Sequence, residues 1–232
     1  MPSAVIVAAG DFPRKPYPRY LLQSAEFVVI CDGALQKYLR NMQAVFGGER
    51  RPDVVIGDMD SLSPALQKAY SDILVHETEQ DHNDQTKAVR YVLGHYPDVT
   101  EIHILGATGL RADHTIGNLS LLMEYPRMFA DASDAAGCHA RLDRASLPSI
   151  DIVSDYGTAF ALTDSAELHV GQGRRISLFS PDNSLRIRSE GLQWPTDDVV
   201  FDNWWKATLN RASADIVRLT FSHPSRALVI LD

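Results

Sequence analysis

The chain has 232 residues, and at roughly 150 residues per domain that allows one large domain or two small ones. Its 22 Lys and Arg against 30 Asp and Glu leave a formal net charge of −8, which argues against a nonspecific nucleic-acid binder or a membrane-surface binder. With 45% hydrophobic and 22% charged residues it reads as a folded, soluble protein rather than a disordered or fibrous one.

The chain opens with an apolar run, MPSAVIVAAGDFP, that has no basic leader and runs into a Gly-Asp turn, so it reads as a strand and not as a targeting segment. No stretch approaches the ~18 consecutive apolar residues that a membrane-spanning helix needs. The two cysteines, Cys31 and Cys138, lie in no CxxC or His-rich context, so neither a disulfide framework nor a thiolate zinc site is expected. A reducing, cytoplasmic setting fits this usage.

From residue 4 to about 125, short apolar runs end in Gly or Asp turns: AVIVAAGD (4–11), FVVICDGA (27–34), DVVIGDMDS (53–61) and EIHILGATG (101–109). Continuous β-branched runs without alternation are characteristic of strands buried on both faces. Helical patterns lie between them at 33–41, 63–70 and 84–96, the last placing Ala88, Val89, Val92 and Leu93 on one stripe. Strands alternating with helices predict a Rossmann-like parallel sheet with flanking helices. The segment 130–149 is small, polar and without period, and reads as a linker or surface excursion. Beyond it come seven strand-like runs, IDIVSD, TAFALT, AELHV, RISLFS, LRIRS, DIVRLTF and RALVIL, at roughly ten-residue spacing, which predicts an all-β sandwich or barrel. The expected organisation is an α/β domain over 1–148 and a β-sandwich over 149–232, although Ile150–Asp155 could complete the first sheet instead of opening the second.

Ligands of open parallel sheets bind beyond the carboxyl ends of the strands, and here the acids collect at those ends. The runs terminate in Gly10-Asp11, in Asp32-Gly33 and in Gly57-Asp58-Met59-Asp60-Ser61, and the fourth passes through Gly106, Thr108 and Gly109 to Arg111 and Asp113. If the extended conformation persists, Asp58 and Asp60 lie on one side roughly 7 Å apart, a spacing suited to holding a metal. Asp81, Asp84 and Lys87 fall at i, i+3 and i+6, which on a helix share a face. Several carboxylates cannot gather uncompensated, because each like charge raises the cost of ionising the next. A hard cation such as Mg²⁺ resolves this by bridging carboxylates to substrate phosphates, with Lys87 and Arg111 taking the remaining anionic oxygens. The pattern points to phosphoryl transfer.

Plainer roles compete with this one. Asp81 or Asn83 suits a helix cap, worth about 1 kcal/mol. Asp84 and Lys87 suit a solvated ion pair, and Asp11 and Asp32 suit turns beside glycine. His82, His103 and His114 lack zinc-site spacing and receive no catalytic role. GxxxxGK[ST], GxGxxG before a helix and GxSxG are all missing, which sets aside P-loop enzymes, dinucleotide dehydrogenases and α/β-hydrolases.

The ordered set ICDGA (30–34), GDMDS (57–61), DHNDQTKAV (81–89) and GATGLRADHTIGNLSLL (106–122), with GLQW (191–194) further on, resembles the thiamine pyrophosphokinase family. The resemblance implies an α/β catalytic domain followed by a β-sandwich, and a homodimer with active sites between its subunits. It also implies Mg²⁺-dependent transfer of pyrophosphate from ATP to the thiamine hydroxyl, yielding thiamine diphosphate and AMP. On that pattern Asp58, Asp60 and Asp84 are the Mg²⁺ ligands with Asp32 nearby, and Lys87 and Arg111 hold ATP phosphates. Gly10, Asp11, Gly33, Gly106, Thr108 and Gly109 border the nucleotide, and Asp113 and Asn118 stand where nucleotide, thiamine and metal meet. Trp194 covers thiamine by stacking or cation–π attraction, and Asn210 contributes a polar contact. Where the family often reads Gly-Thr-Ser-Asn, this chain has Ala207-Thr208-Leu209-Asn210. Asp113, set in an acidic cluster and expected to have a raised pKa, is the candidate proton acceptor.

Two other functions compete. VVIGDMDSL matches a hydrophobic run plus DxD, the nucleophile motif of haloacid-dehalogenase-type phosphatases, with Asp58 forming an aspartyl phosphate. That reading leaves DHNDQTK and GLRADH unexplained. A noncatalytic nucleotide or thiamine sensor is the other, and absence of AMP formation would favour it.

Overall fold

The computed structural model describes residues 2–130 and 147–232. Most of the segment expected to be a linker, together with Cys138, lies outside the described residues. The chain divides into two compact units, the first comprising residues 1–121 and 128–155, the second 122–127 and 156–232.

In the first unit, strands β1 (Ser3–Val7), β2 (Phe27–Cys31), β3 (Val54–Gly57), β4 (Leu74–His76), β5 (Glu101–Leu105) and β6 (Ser149–Ser154) form one parallel arrangement ordered β6-β5-β1-β2-β3-β4. β1, β2 and β5 are buried at every position but their first, as continuous apolar runs require when helices cover both faces. Val5, Val7, Val28, Ile30 and Val55 lie in one core with Leu22, Leu35 and Tyr38 from the helices, and burying each such aliphatic side chain contributes about 1.5–3 kcal/mol. Ile150–Asp155 falls within this unit, its strand β6 pairing in parallel with β5.

The helices are α1 (Pro16–Ser24), α2 (Leu35–Phe46), α3 (Pro64–Ala69), α4 (Asp84–His95) and α5 (Ala112–Ala130). α3 begins with Pro64 after Ser63, whose hydroxyl caps Leu66 N. α2 stops at Gly47, whose φ of 70° is a left-handed conformation that glycine adopts without strain. Asp81 precedes α4, so it does not share a helical face with Asp84 and Lys87 as the i, i+3, i+6 spacing suggested.

The second unit is an antiparallel β-sandwich. One sheet is ordered β11 (Asn210–Arg211), β9 (Arg175–Phe179), β13 (Ala227–Leu231), β7 (Gly157–Leu162), and the other β10 (Ile187–Glu190), β12 (Ile216–Phe221), β8 (Ala166–His169). In β12, Val217, Leu219 and Phe221 point inward while Arg218 and Thr220 point out, the period-2 pattern of a sheet with one wet face. They pack with Ile187 against Ile176, Leu178, Ala227 and Val229 of the other sheet.

Candidate active site

β1 neighbours both β2 and β5, so the winding direction of the sheet reverses between β1 and β5. This is the topological switch point, where open α/β sheets leave a crevice. The loops leaving the two strands remain joined past the strand ends: Ala8 N donates to Leu105 O at 2.8 Å, Gly10 N to Gly106 O at 2.7 Å and Asp11 N to Thr108 O at 2.8 Å. A Cβ at Gly10 would sit 2.3 Å from Thr108 O, so only glycine fits there, and Gly109 takes a left-handed φ of 84° that glycine adopts without strain. Gly10, Asp11, Gly106, Thr108 and Gly109 are thus brought together.

Asp32 begins the turn after β2 and is 2% exposed. One of its oxygens accepts from Gly33 N at 2.5 Å, and the other, Oδ2, is buried with no partner. Gly57 is pressed against it, since a Cβ there would lie 2.6 Å from Asp32 Cγ. Burial raises the Asp32 pKa, and the charge of Asp84 and then of Asp58 raises it further. Burial also raises Asp84, Lys87 opposes the shift, and Asp58 adds to it. Asp32, Asp58 and Asp84 therefore feel one another as a cluster of like charge.

Asp60 is placed otherwise than an extended chain would place it. β3 ends at Gly57, Met59 takes a left-handed φ of 67° with its side chain in the core, and Asp58 Oδ1 accepts from Asp60 N at 3.1 Å. The local side-chain hydrogen bond and the burial of Met59 override the strand, so the i, i+2 alternation fails here. A non-glycine residue at positive φ stores strain of the kind found at functional sites.

Asn83, not Asp81, caps α4, its Oδ1 accepting from Thr86 N at 3.0 Å. Its Nδ2 donates to Asn118 Oδ1 at 2.9 Å, and Asn118 Nδ2 donates to Ala107 O at 2.8 Å. Asn118 thereby ties the start of α4 to the loop after β5, a clasp that uses both ends of its amide. Lys87 is 6% exposed, with Nζ 3.2 Å from Glu77 O and 3.9 Å from Asp84 Oδ1.

Arg111 and Asp113 form a bidentate pair, Nε to Oδ1 at 3.1 Å and an Nη to Oδ2 at 2.5 Å, and both are exposed. The pair lowers the Asp113 carboxyl to about 2, with help from His114 N. This reverses the expected rise. Asp113 is held by a guanidinium in water rather than crowded among buried carboxylates, and an acid of that strength is a poor proton acceptor.

Trp194 and Asn210 belong to the second unit. Trp194 is 54% exposed and absent from the sandwich core. Asn210 is buried, and its side chain bonds both main-chain polar groups of Trp194. Leu209 takes φ 58° and is exposed, its N–H donating to Ser177 Oγ at 3.1 Å.

Sequence reasoning missed Lys37. It lies on α2, and its ammonium reaches the carbonyls of Ala9 and Gly10. The only available signal was its position one turn into the helix that follows the Asp32 turn.

Known proteins supply the comparison. The family model for the thiamin pyrophosphokinase catalytic domain matches residues 18–131, and that for the thiamin pyrophosphokinase substrate-binding domain matches residues 157–229. Thiamine pyrophosphokinase 1 of Oryza sativa subsp. japonica is 27% identical over 242 residues, covering 94% of this chain and 83% of its own length. Thiamine pyrophosphokinase of Bacillus subtilis (strain 168) is 37% identical over 75 residues, 31% of this chain and 34% of that one. The solved thiamin pyrophosphokinase from Candida albicans shares the fold with a TM-score of 0.76 at 15% identity, over 99% of this chain and 89% of that one. The solved thiamine pyrophosphokinase from Bacillus subtilis gives 0.71 at 18% identity, over 99% and 98%.

Site, fold and relatives together define a diphosphotransferase enzyme built from an α/β catalytic unit and a β-sandwich. More particularly, the chain belongs to the thiamin pyrophosphokinase family. The phosphatase alternative, with Asp58 as nucleophile, is not favoured by any of these matches.

Proposed function

We propose that this enzyme moves the terminal diphosphate of ATP onto the hydroxyethyl oxygen of thiamine, with the nucleotide seated at the switch point and Mg²⁺ held by Asp58 and Asp84, Asp60 adding an outer contact. The acceptor oxygen forms a bond to the β-phosphorus and releases its proton to solvent, the bond from the β-phosphorus to the oxygen bridging it to the α-phosphate breaks, and AMP leaves with that oxygen. The observation that carries this reading is the set of mutually repelling carboxylates Asp32, Asp58 and Asp84, of which Asp32 is buried with one oxygen unpartnered and Asp84 lies 3.9 Å from the buried Lys87 ammonium. Such a cluster is costly in an empty fold and suits a divalent cation.

Among the described residues no three His, Cys, Asp or Glu side chains converge into a ready-made metal cage. Mg²⁺ needs none, since it keeps several waters and takes one or two carboxylates plus substrate phosphates. Held by Asp58 and Asp84, it would neutralise charge on the phosphates. The chain's own groups do the rest. Lys87 and Arg111 meet phosphate charge, the glycine loops at Gly10 and Gly106–Gly109 let main chain approach the nucleotide, and Asp113 keeps Arg111 oriented through their bidentate bond. In the second unit, Trp194 offers an exposed aromatic face to the cationic thiamine, and Asn210 fixes its main chain.

The reading extends to a cytoplasmic homodimer with no nucleic-acid or membrane partner. Support comes from the net charge of −8 and from Cys31 being buried and unbridged. Trp194, Trp204, Trp205 and Leu209, all more than half exposed on the second unit, suit contact with ligand or a second copy. The functional test is AMP release from ATP and Mg²⁺ across a panel of hydroxylated acceptors. Thiamine should be strongly preferred, and release that ignores the acceptor would contradict the reading.

A further inference from the structure

The end of β1 is held from two sides. On one side Gly10 N and Asp11 N donate to Gly106 O and Thr108 O across the switch point. On the other, Lys37 Nζ, reaching from α2, donates to Ala9 O at 3.0 Å and to Gly10 O. Both peptide groups of Gly10 are therefore committed, the N–H to the β5 loop and the carbonyl to the ammonium, at a residue with no room for a Cβ. Without the lysine, two adjacent carbonyl dipoles would remain beside the Asp32–Gly33 turn, where the charges of Asp32, Asp58 and Asp84 already gather. That combination of partial and full negative charge repels a polyphosphate.

We propose that Lys37 is a positioning residue for the nucleotide: its ammonium turns the Ala9 and Gly10 carbonyls toward α2 and sets the Gly10–Asp11 main chain where the triphosphate docks. The proposal rests on the reading that ATP binds at this switch point. Charge-assisted hydrogen bonds to carbonyls are stronger than neutral ones, and an ammonium with three donors spends two of them here. Methionine at this position keeps an unbranched side chain of similar length and removes the charge and the donors.

The test has two independent readouts on Lys37→Met and Lys37→Arg. Amide hydrogen exchange at Gly10 and Asp11 should quicken at least tenfold in Lys37→Met, with exchange in β2 unchanged and the melting temperature within a few degrees of wild type. Equilibrium binding of a nonhydrolysable ATP analogue should weaken about tenfold, with thiamine KM and kcat within twofold and partial recovery in Lys37→Arg. Unchanged exchange at Gly10 and Asp11 would overturn the proposal whatever the enzyme's substrate. Faster exchange with unchanged analogue binding would leave Lys37 a purely structural residue and also overturn it. If wild-type protein fails to bind the analogue at all, the reading of ATP at the switch point falls, and the nucleotide role of Lys37 falls with it.

Discussion

Asn210 Nδ2 donates to the carbonyl of Trp194 at 2.6 Å while Asn210 Oδ1 accepts from the N–H of Trp194 at 3.2 Å, so one buried amide fixes the main chain of a tryptophan whose ring faces solvent. A ring that contributes little to the core can be removed at little cost to folding. Trp194→Ala should raise the thiamine KM roughly tenfold, as expected for loss of about 1–2 kcal/mol of cation–aromatic attraction, with ATP KM and melting temperature nearly unchanged. Asn210→Ala should lower both thiamine affinity and thermal stability, because it strands buried polar groups. A sharp melting loss in Trp194→Ala with unchanged thiamine KM would show that the ring serves folding instead.

The acidic cluster trades stability for function. Asp58→Ala and Asp84→Ala should reduce turnover at least a hundredfold while leaving the melting temperature at or above that of wild type. Asp32→Asn should also lose activity and should melt higher at pH 8. Because burial and its acidic neighbours raise the folded-state pKa of Asp32, the penalty for ionising it is full above that pKa and vanishes below the unfolded value near 3.8. The melting advantage of Asp32→Asn should thus shrink as the pH falls toward 4. Calorimetry at both pH values, paired with turnover assays, decides the matter; an Asp32→Asn protein that melts lower at pH 8 would contradict it.

Lys87 provides positive charge inside that cluster, within 3.9 Å of Asp84. Lys87→Met should weaken ATP use tenfold or more and leave thiamine KM within about twofold, since a point charge for phosphate oxygens makes no needed contact with a cationic vitamin. Equal losses for both substrates would remove Lys87 from the phosphate site.

His103 links β5 to β6 through Nδ1, 2.8 Å from Asp151 Oδ1, with Glu101 at 3.8 Å from Nε2. Burial pulls its pKa down, but the Asp151 hydrogen bond and the charges of Asp151 and Glu101 outweigh it, so the net shift is upward from 6.5. The folded state therefore favours the imidazolium. Its stabilisation is fully present below about pH 6.5 and is lost as the pH rises through the folded-state value. Urea midpoints should fall across that window in wild type and change less in Asp151→Asn; identical slopes in the two proteins would rule the pair out as the cause.

The strands with long apolar runs were legible because burial on both faces leaves a continuous signature: β2, β3 and β5 lie within the expected segments, and β1 starts one residue before its own. Short elements were not. β4 has three residues and β11 two, too few for any periodicity to register. α1 begins PYP, and the two prolines that read as punctuation in sequence occupy the first turn, where the missing N–H groups cost nothing. Motif reasoning selected the acids because their chemistry is explicit in residue type. It could not foresee the left-handed Met59 that re-aims Asp60, the guanidinium that acidifies Asp113, or Lys37, whose role is set by tertiary reach to carbonyls that every sequence possesses.

Transfer of an intact diphosphate is visible in ³¹P NMR of a reaction containing ATP, Mg²⁺ and thiamine. AMP and thiamine diphosphate should appear one to one, with no ADP or thiamine monophosphate ahead of them, and both signals should be lost in Asp84→Ala. Formation of ADP with thiamine monophosphate, inorganic phosphate released through a covalent intermediate on Asp58, or no thiamine-dependent AMP at all would contradict it.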